Sequence, residues 1–175
     1  MHNFRSIVVN KKEGEIIISN NNTQLEQQPE PDSALKRLDE LVGTWSIKGH
    51  TLDSKVDNVS ALTTFEWLPG GFFLKQNFEA DFMDMKIQSL ELIYYDPESD
   101  AFPSLVYSNL AGIPIPYKYD VRGKNVTITT DLAGGAKMTG KISEDCNTFS
   151  GGWRPNPGKE NPGNVAYDFV GTRIK

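Results

Sequence analysis

Glu91 is the chain's candidate acid or base, and it sits in a run of alternating side chains from 85 to 95. One face of that run carries Ile87, Ser89, Glu91, Ile93 and Tyr95; the other carries Lys86, Gln88, Leu90, Leu92 and Tyr94. Both faces mix apolar and polar groups, so period-two alternation alone does not decide which one meets a core. With the first face inward, Glu91 is a carboxylate among aromatic rings. Burial disfavours the charged form of such a group and raises its pKa. That is the condition for proton transfer near neutral pH, with a tyrosine to steady developing charge.

Other chemistry is thinly represented. The histidines are His2 and His50, and the single cysteine is Cys146. They support no convincing Ser-His-Asp or Cys-His arrangement. Glu79, Asp81 and Asp84 come nearest to a metal-binding cluster, but they lie around a hairpin end and read as a solvated acidic rim. Cys146 falls in a turn and reads as a bystander. Gly134-Gly135 has no helix after it and is therefore no phosphate loop. Catalytic residues and a metal are accordingly not assigned.

The elements that position Glu91 are strands. From Thr44 onward the pattern is strand, turn, strand, with strands read near 44–52, 59–68, 72–81, 85–95, 102–109, 116–122, 125–131, 136–143, 148–154 and 165–174. The breaks carry turn chemistry: Pro69-Gly70-Gly71, Asp96-Pro97-Glu98-Ser99-Asp100, Arg122-Gly123-Lys124-Asn125, Ala133-Gly134-Gly135 and Glu144-Asp145-Cys146-Asn147. Hairpin-length connections imply an antiparallel meander. About ten such strands without a crossover helix hide their edges best by closing into a barrel. The predicted fold is an all-β closed antiparallel meander barrel with a short N-terminal helix plugging one end. Asp32 or Ser33 caps that helix, Leu35, Leu38 and Leu41/Val42 form its apolar stripe, and Gly43 stops it.

Strand parity then assigns faces. Trp45 and Ile47 share one face of the first barrel strand; Tyr167, Phe169, Gly171 and Arg173 share one face of the last. Closure pairs these strands and brings Arg173 over Trp45 at the plugged end. Gly43, Trp45 and Arg173 are read as a structural latch rather than a ligand contact. The inward candidates elsewhere are Phe65 and Trp67, Leu74, Gln76 and Phe78, Leu105 and Tyr107, Tyr117 and Tyr119, Val126 and Ile128, Met138, and Phe149 and Trp153. From these, Phe65, Trp67, Gln76, Phe78, Glu91, Tyr107, Tyr117 and Tyr119 are the expected ligand-binding set.

Bulk properties set the limits. The 175 residues suit one main domain, 32–175, preceded by an arm and linker, 1–31, in which Ser6–Val9 and Glu15–Ser19 could form a hairpin around Asn10–Gly14. A net charge of −5 argues against a nucleic-acid surface. No apolar run approaches a spanning helix, and the apolar stretch Ile7-Val8-Val9 is too short for a secretory signal. The expected location is cytoplasmic, with no membrane partner. The arm, or the loop holding Ile113 and Ile115, could make a homodimer.

Four segments together carry a family resemblance: Leu38-Asp39-Glu40-Leu41-Val42-Gly43-Thr44-Trp45, Phe65-Glu66-Trp67-Leu68-Pro69-Gly70-Gly71-Phe72-Phe73-Leu74, Tyr94-Tyr95-Asp96-Pro97, and Ser143 through Trp153. From about 34 to 174 the chain resembles a bacterial family of lipocalin-like barrels, in the calycin superfamily, that carries only a domain-of-unknown-function label. The resemblance implies a calycin-type barrel and brings no catalytic residues. The related nitrobindin-like barrels hold haem through a histidine late in the chain. This sequence departs from that pattern, since it has only His2 and His50, and no cofactor is expected. The leading expectation is therefore binding of a small apolar or amphiphilic molecule in the barrel cavity. The alternatives are an isomerase- or cyclase-type enzyme using Glu91 on a hydrophobic substrate, and a non-catalytic structural or dimerisation protein.

Overall fold

The computed structural model describes residues 9–12, 15–18, 29–161 and 164–175. The remainder of the N-terminal arm, including Ser6, Ile7 and Val8, lies outside the described residues. Within the arm, β1 (Val9–Lys12) pairs antiparallel with β2 (Glu15–Ile18), Val9 opposite Ile18 and Lys12 opposite Glu15. The connection is therefore shorter than the expected Asn10–Gly14 loop. The chain divides into two compact units, 1–30 and 31–175.

The larger unit opens with a helix, Ser33–Leu41, of the 3-10 type. Asp32 caps it, its Oδ1 accepting from the Ala34 N–H at 2.8 Å. The helix type follows from the leucine spacing. Leu35, Leu38 and Leu41 recur every three residues, and only a helix of three residues per turn stacks such a series on one stripe. All three are buried, Leu38 completely.

Ten strands follow: β3 (Gly43–Thr51), β4 (Val59–Trp67), β5 (Leu74–Phe82), β6 (Met85–Ile93), β7 (Phe102–Ser108), β8 (Ile115–Arg122), β9 (Asn125–Thr130), β10 (Ala136–Ile142), β11 (Thr148–Pro155) and β12 (Tyr167–Arg173). Each pairs antiparallel with its neighbours in sequence, and β12 returns to β3, so the sheet closes into a barrel without free edges. At closure Arg173 faces Trp45, Gly171 faces Ile47 and Phe169 faces Gly49.

Register settles the face of β6. The two-residue turn before it holds Met83 and Asp84 at φ 50° and 67°, the left-handed pair of a tight hairpin turn. Phe82 is thereby paired with Met85, Gln76 with Glu91 and Leu74 with Ile93. Because a strand's faces alternate strictly, this puts Ile87, Ser89, Glu91 and Ile93 inside.

The strand β7 corrects the expected inward set. Its inward residues are Phe102, Ser104 and Val106, all buried, whereas Leu105 and Tyr107 point outward and are 40% and 46% exposed. Hydrophobicity suggests Leu105 and Tyr107 for the core, but pairing Leu92 with Leu105 and Ile93 with Ser104 fixes the opposite face. A second correction concerns Ile113 and Ile115. Ile113 is exposed, but Ile115 begins β8 as a buried inward residue.

The barrel ends differ. The plugged end is packed solid by the helix leucines with Trp45, Phe65, Leu74, Ile93 and Phe102. Toward the other end the inward residues Ile47, Ala61, Gln76, Phe78, Ile87, Ser89, Tyr117, Trp153 and Tyr167 are only half-buried. That end, where Val59, Ala80, Val106 and Ile115 are nonetheless buried, we call the mouth.

Candidate functional site

Glu91 lies on the inward face of β6, with 3% of its surface exposed. Tyr119, two strands away on β8, donates its hydroxyl to Oε2 at 2.8 Å. Ser104, on the intervening β7, makes a short hydrogen bond from its hydroxyl to Oε1. Both oxygens of a buried carboxylate thus have a donor, as its desolvation requires. Neither donor is charged. Burial pushes the Glu91 carboxyl up from 4.5 to about 7, against the smaller opposing pull of Ser104 and then Tyr119.

Tyrosines continue the site toward the mouth. Burial, and next the Glu91 charge, push the Tyr117 hydroxyl up to about 12. Tyr119 is also raised, by burial first and Glu91 second. The Tyr117 ring lies 5.8 Å from that of Trp153, centre to centre. Tyr167 is raised by burial and then by Tyr117, and its hydroxyl is hydrogen-bonded by the Trp153 side chain. Across from Glu91, Gln76 donates from Nε2 to the Thr63 hydroxyl at 2.9 Å.

Five of the eight expected ligand residues face the barrel interior between the plug and the mouth: Gln76, Phe78, Glu91, Tyr117 and Tyr119. Phe65 is buried in the core beside the plug. Trp67 sits at the plugged end and donates its indole N–H to Asp39 Oδ1 at 2.9 Å, so it belongs to the floor. Tyr107 is outside the barrel altogether. Sequence reasoning missed Ser104 and left Tyr167 out of the ligand set. The signal for Ser104 was present: a buried Glu91 needs donors from adjacent strands, and among the buried inward residues of β7, Phe102, Ser104 and Val106, only Ser104 carries one.

The floor is held by a separate set of contacts. The Arg173 guanidinium lies 4.1 Å over the Trp45 ring. It donates to the Cys146 carbonyl at 2.8 Å, the Glu40 carbonyl at 2.7 Å and the Val42 carbonyl. Trp45 donates to the Leu41 carbonyl at 2.8 Å. Gly43, at φ 125°, is required here. A Cβ on it would stand 2.6 Å from the Lys175 carbonyl oxygen and 2.7 Å from Arg173 Nη1. On the same end Arg37 stacks 4.7 Å over Phe102 and bonds Asp100 at 2.6 Å. Asp100 is held down to about 2, by Arg122 first and then Arg37 and Tyr95. Nearby, Lys124 donates to Cys146 Sγ at 3.0 Å and to Glu40 Oε1 at 2.8 Å. The thiol and then the carboxylate raise its pKa.

Among the described residues no three His, Cys, Asp or Glu side chains cluster closely enough to hold a metal ion. Glu79 and Asp81 point outward, Asp81 paired with Lys86. No described helix is long and apolar enough to cross a membrane.

Comparison with known proteins adds to this geometry. A family model described as a protein of unknown function (DUF1579) matches residues 30–145. No functionally curated protein matches the chain. Among solved structures, the chain is similar to that of Rv2717c from M. tuberculosis, at 14% identity and a TM-score of 0.51. The likeness covers 83% of this chain and 100% of that one. At so low an identity it speaks for the fold alone.

Proposed function

The chain belongs to the DUF1579 family, whose description names no activity, and on that premise we propose that the barrel binds a small apolar or amphiphilic molecule through its mouth. The observation that carries this reading is the partial exposure of inward side chains above Glu91, which we read as a hollow opening at the mouth. A barrel of this size that filled itself would bury those residues as it buries Trp45 and Phe102. Aromatic walls with a few convergent polar groups are what small-molecule sites require. Kinship with the lipocalin-like barrels belongs to the same proposal. It is supported by Gly43-Thr44-Trp45 at the start of the first barrel strand.

The neutral fluorescent probe N-phenyl-1-naphthylamine tests the hollow. It should bind one to one, and Ser89→Trp, which fills the mouth from β6, should abolish that binding. Equal binding by the variant, or no saturable binding at all, would remove the proposal.

A second reading has its own observation, the Tyr119–Glu91 contact beside a carboxyl that titrates near 7. That pair suits removal of a proton next to a carbonyl, Glu91 as base and Tyr119 as donor to the oxyanion. Deuterium exchange into 2-octanone in heavy water tests it. Exchange no faster with wild type than with Glu91→Gln eliminates the reading.

A further inference from the structure

We propose that the hollow selects a guest carrying one cationic nitrogen on an apolar body, with Glu91 as counter-ion and the tyrosine–tryptophan wall as the π surface beside it. The inference rests on the binding reading above and adds the guest's chemical class.

The charge inventory of the interior is the first argument. Among the inward-facing strand positions Glu91 is the sole carboxylate. The sole cation is Arg173, at the floor, where three carbonyls and the Trp45 ring already occupy it. The groups that govern Glu91's titration are burial and two hydroxyls, with no cation among them. Buried charges in proteins are normally paired. Here the pairing position on the open side is left to whatever enters.

The surroundings suit a cation. Tyr117 lies close enough to Glu91 to feel its charge, and its ring contacts Trp153. Trp153 in turn bonds Tyr167. Electron-rich ring faces beside a carboxylate stabilise an ammonium group with its water removed. Gln76 stands opposite Glu91 and Ser89 is the next inward residue toward the mouth, and their side-chain oxygens accept from an N–H donor. The same arrangement disfavours a fatty-acid type of guest. A carboxylate head would find no free cation and would meet Glu91 as a like charge.

Three probes sharing one tail separate the possibilities: octylammonium, octanol and octanoate, each measured by displacement of N-phenyl-1-naphthylamine. Octylammonium should bind at least about tenfold tighter than octanoate, a gap of about 1.4 kcal/mol, with octanol between them. Glu91→Gln should bring the three to within about threefold of one another while octanol binding persists. Octyltrimethylammonium, which keeps charge without N–H donors, should retain most of the preference in the wild type. The wild-type series decides the matter even if the variant folds poorly. Octanol and octanoate binding as well as octylammonium would overturn the cation assignment and leave the binding reading standing. A preference that survives Glu91→Gln would overturn Glu91's part in it. Failure of all the probes to bind would defeat both readings together.

Discussion

Replacing Glu91 by Gln should stabilise this protein at alkaline pH and do little at acid pH. Raising a carboxyl from 4.5 to about 7 costs the folded, ionised protein roughly 3 kcal/mol, at about 1.36 kcal/mol per pH unit. The sign follows from linkage. The unfolded chain gives up this proton near 4.5, whereas the folded chain holds it until about 7. Stability from this group is therefore full below the lower value, declines as pH rises through the window, and is flat above it. Gln keeps the size and hydrogen-bonding capacity that Ser104 and Tyr119 meet, but cannot ionise. Urea unfolding followed by tryptophan fluorescence should find the two proteins close to parity at about pH 4.5 and the variant ahead by roughly 3 kcal/mol at about pH 8.5. For a domain of this size that is about 6–12 °C in melting temperature. Taking the difference between the proteins cancels the groups they share, including Asp100, whose lowered pKa acts in the opposite direction. A difference that changes by less than about 1 kcal/mol across the window would refute the claim that Glu91 is buried without a counter-ion.

Four further outcomes follow from the geometry. Gly43→Ala should cost about 2–4 kcal/mol in urea unfolding, because its Cβ would stand 2.6 Å from the Lys175 carbonyl oxygen on a backbone at φ 125°. Arg173→Lys should destabilise nearly as much as Arg173→Ala, by roughly 2–4 kcal/mol, because the three carbonyls are met from three separate guanidinium nitrogens and an ammonium, with all its donors on one atom, cannot reach them together and cover the Trp45 ring; a lysine variant as stable as wild type would contradict the latch. Tyr107→Ser should leave stability within about 0.5 kcal/mol and probe affinity unchanged. Tyr117→Ala should weaken N-phenyl-1-naphthylamine binding by about tenfold, measured in the same titration.

The order of strands and turns was legible because it is local. Period-two alternation, turn residues and a three-residue leucine spacing are written in neighbouring positions, and they suffice for ten strands and a plug. Closure followed from counting edges. Trp45 and Arg173 were legible as neighbours because closure pairs the first barrel strand with the last, and parity then leaves no choice of face.

What the sequence left open was sidedness where both faces look alike. On β6 each face carries apolar and polar residues, and on β7 the more apolar pair, Leu105 and Tyr107, lies outside. Hydrogen-bonded register across the sheet decides such cases, and a slip of one residue would reverse them. The proton affinity of Glu91 is likewise a tertiary property. It arises from burial together with hydroxyls at Ser104 and Tyr119, 13 and 28 residues away in sequence. Composition and spacing determined that this chain forms a plugged barrel. Only the folded register decided that a carboxylate without a cation stands inside it, because desolvation and hydrogen bonding act through space and not along the chain.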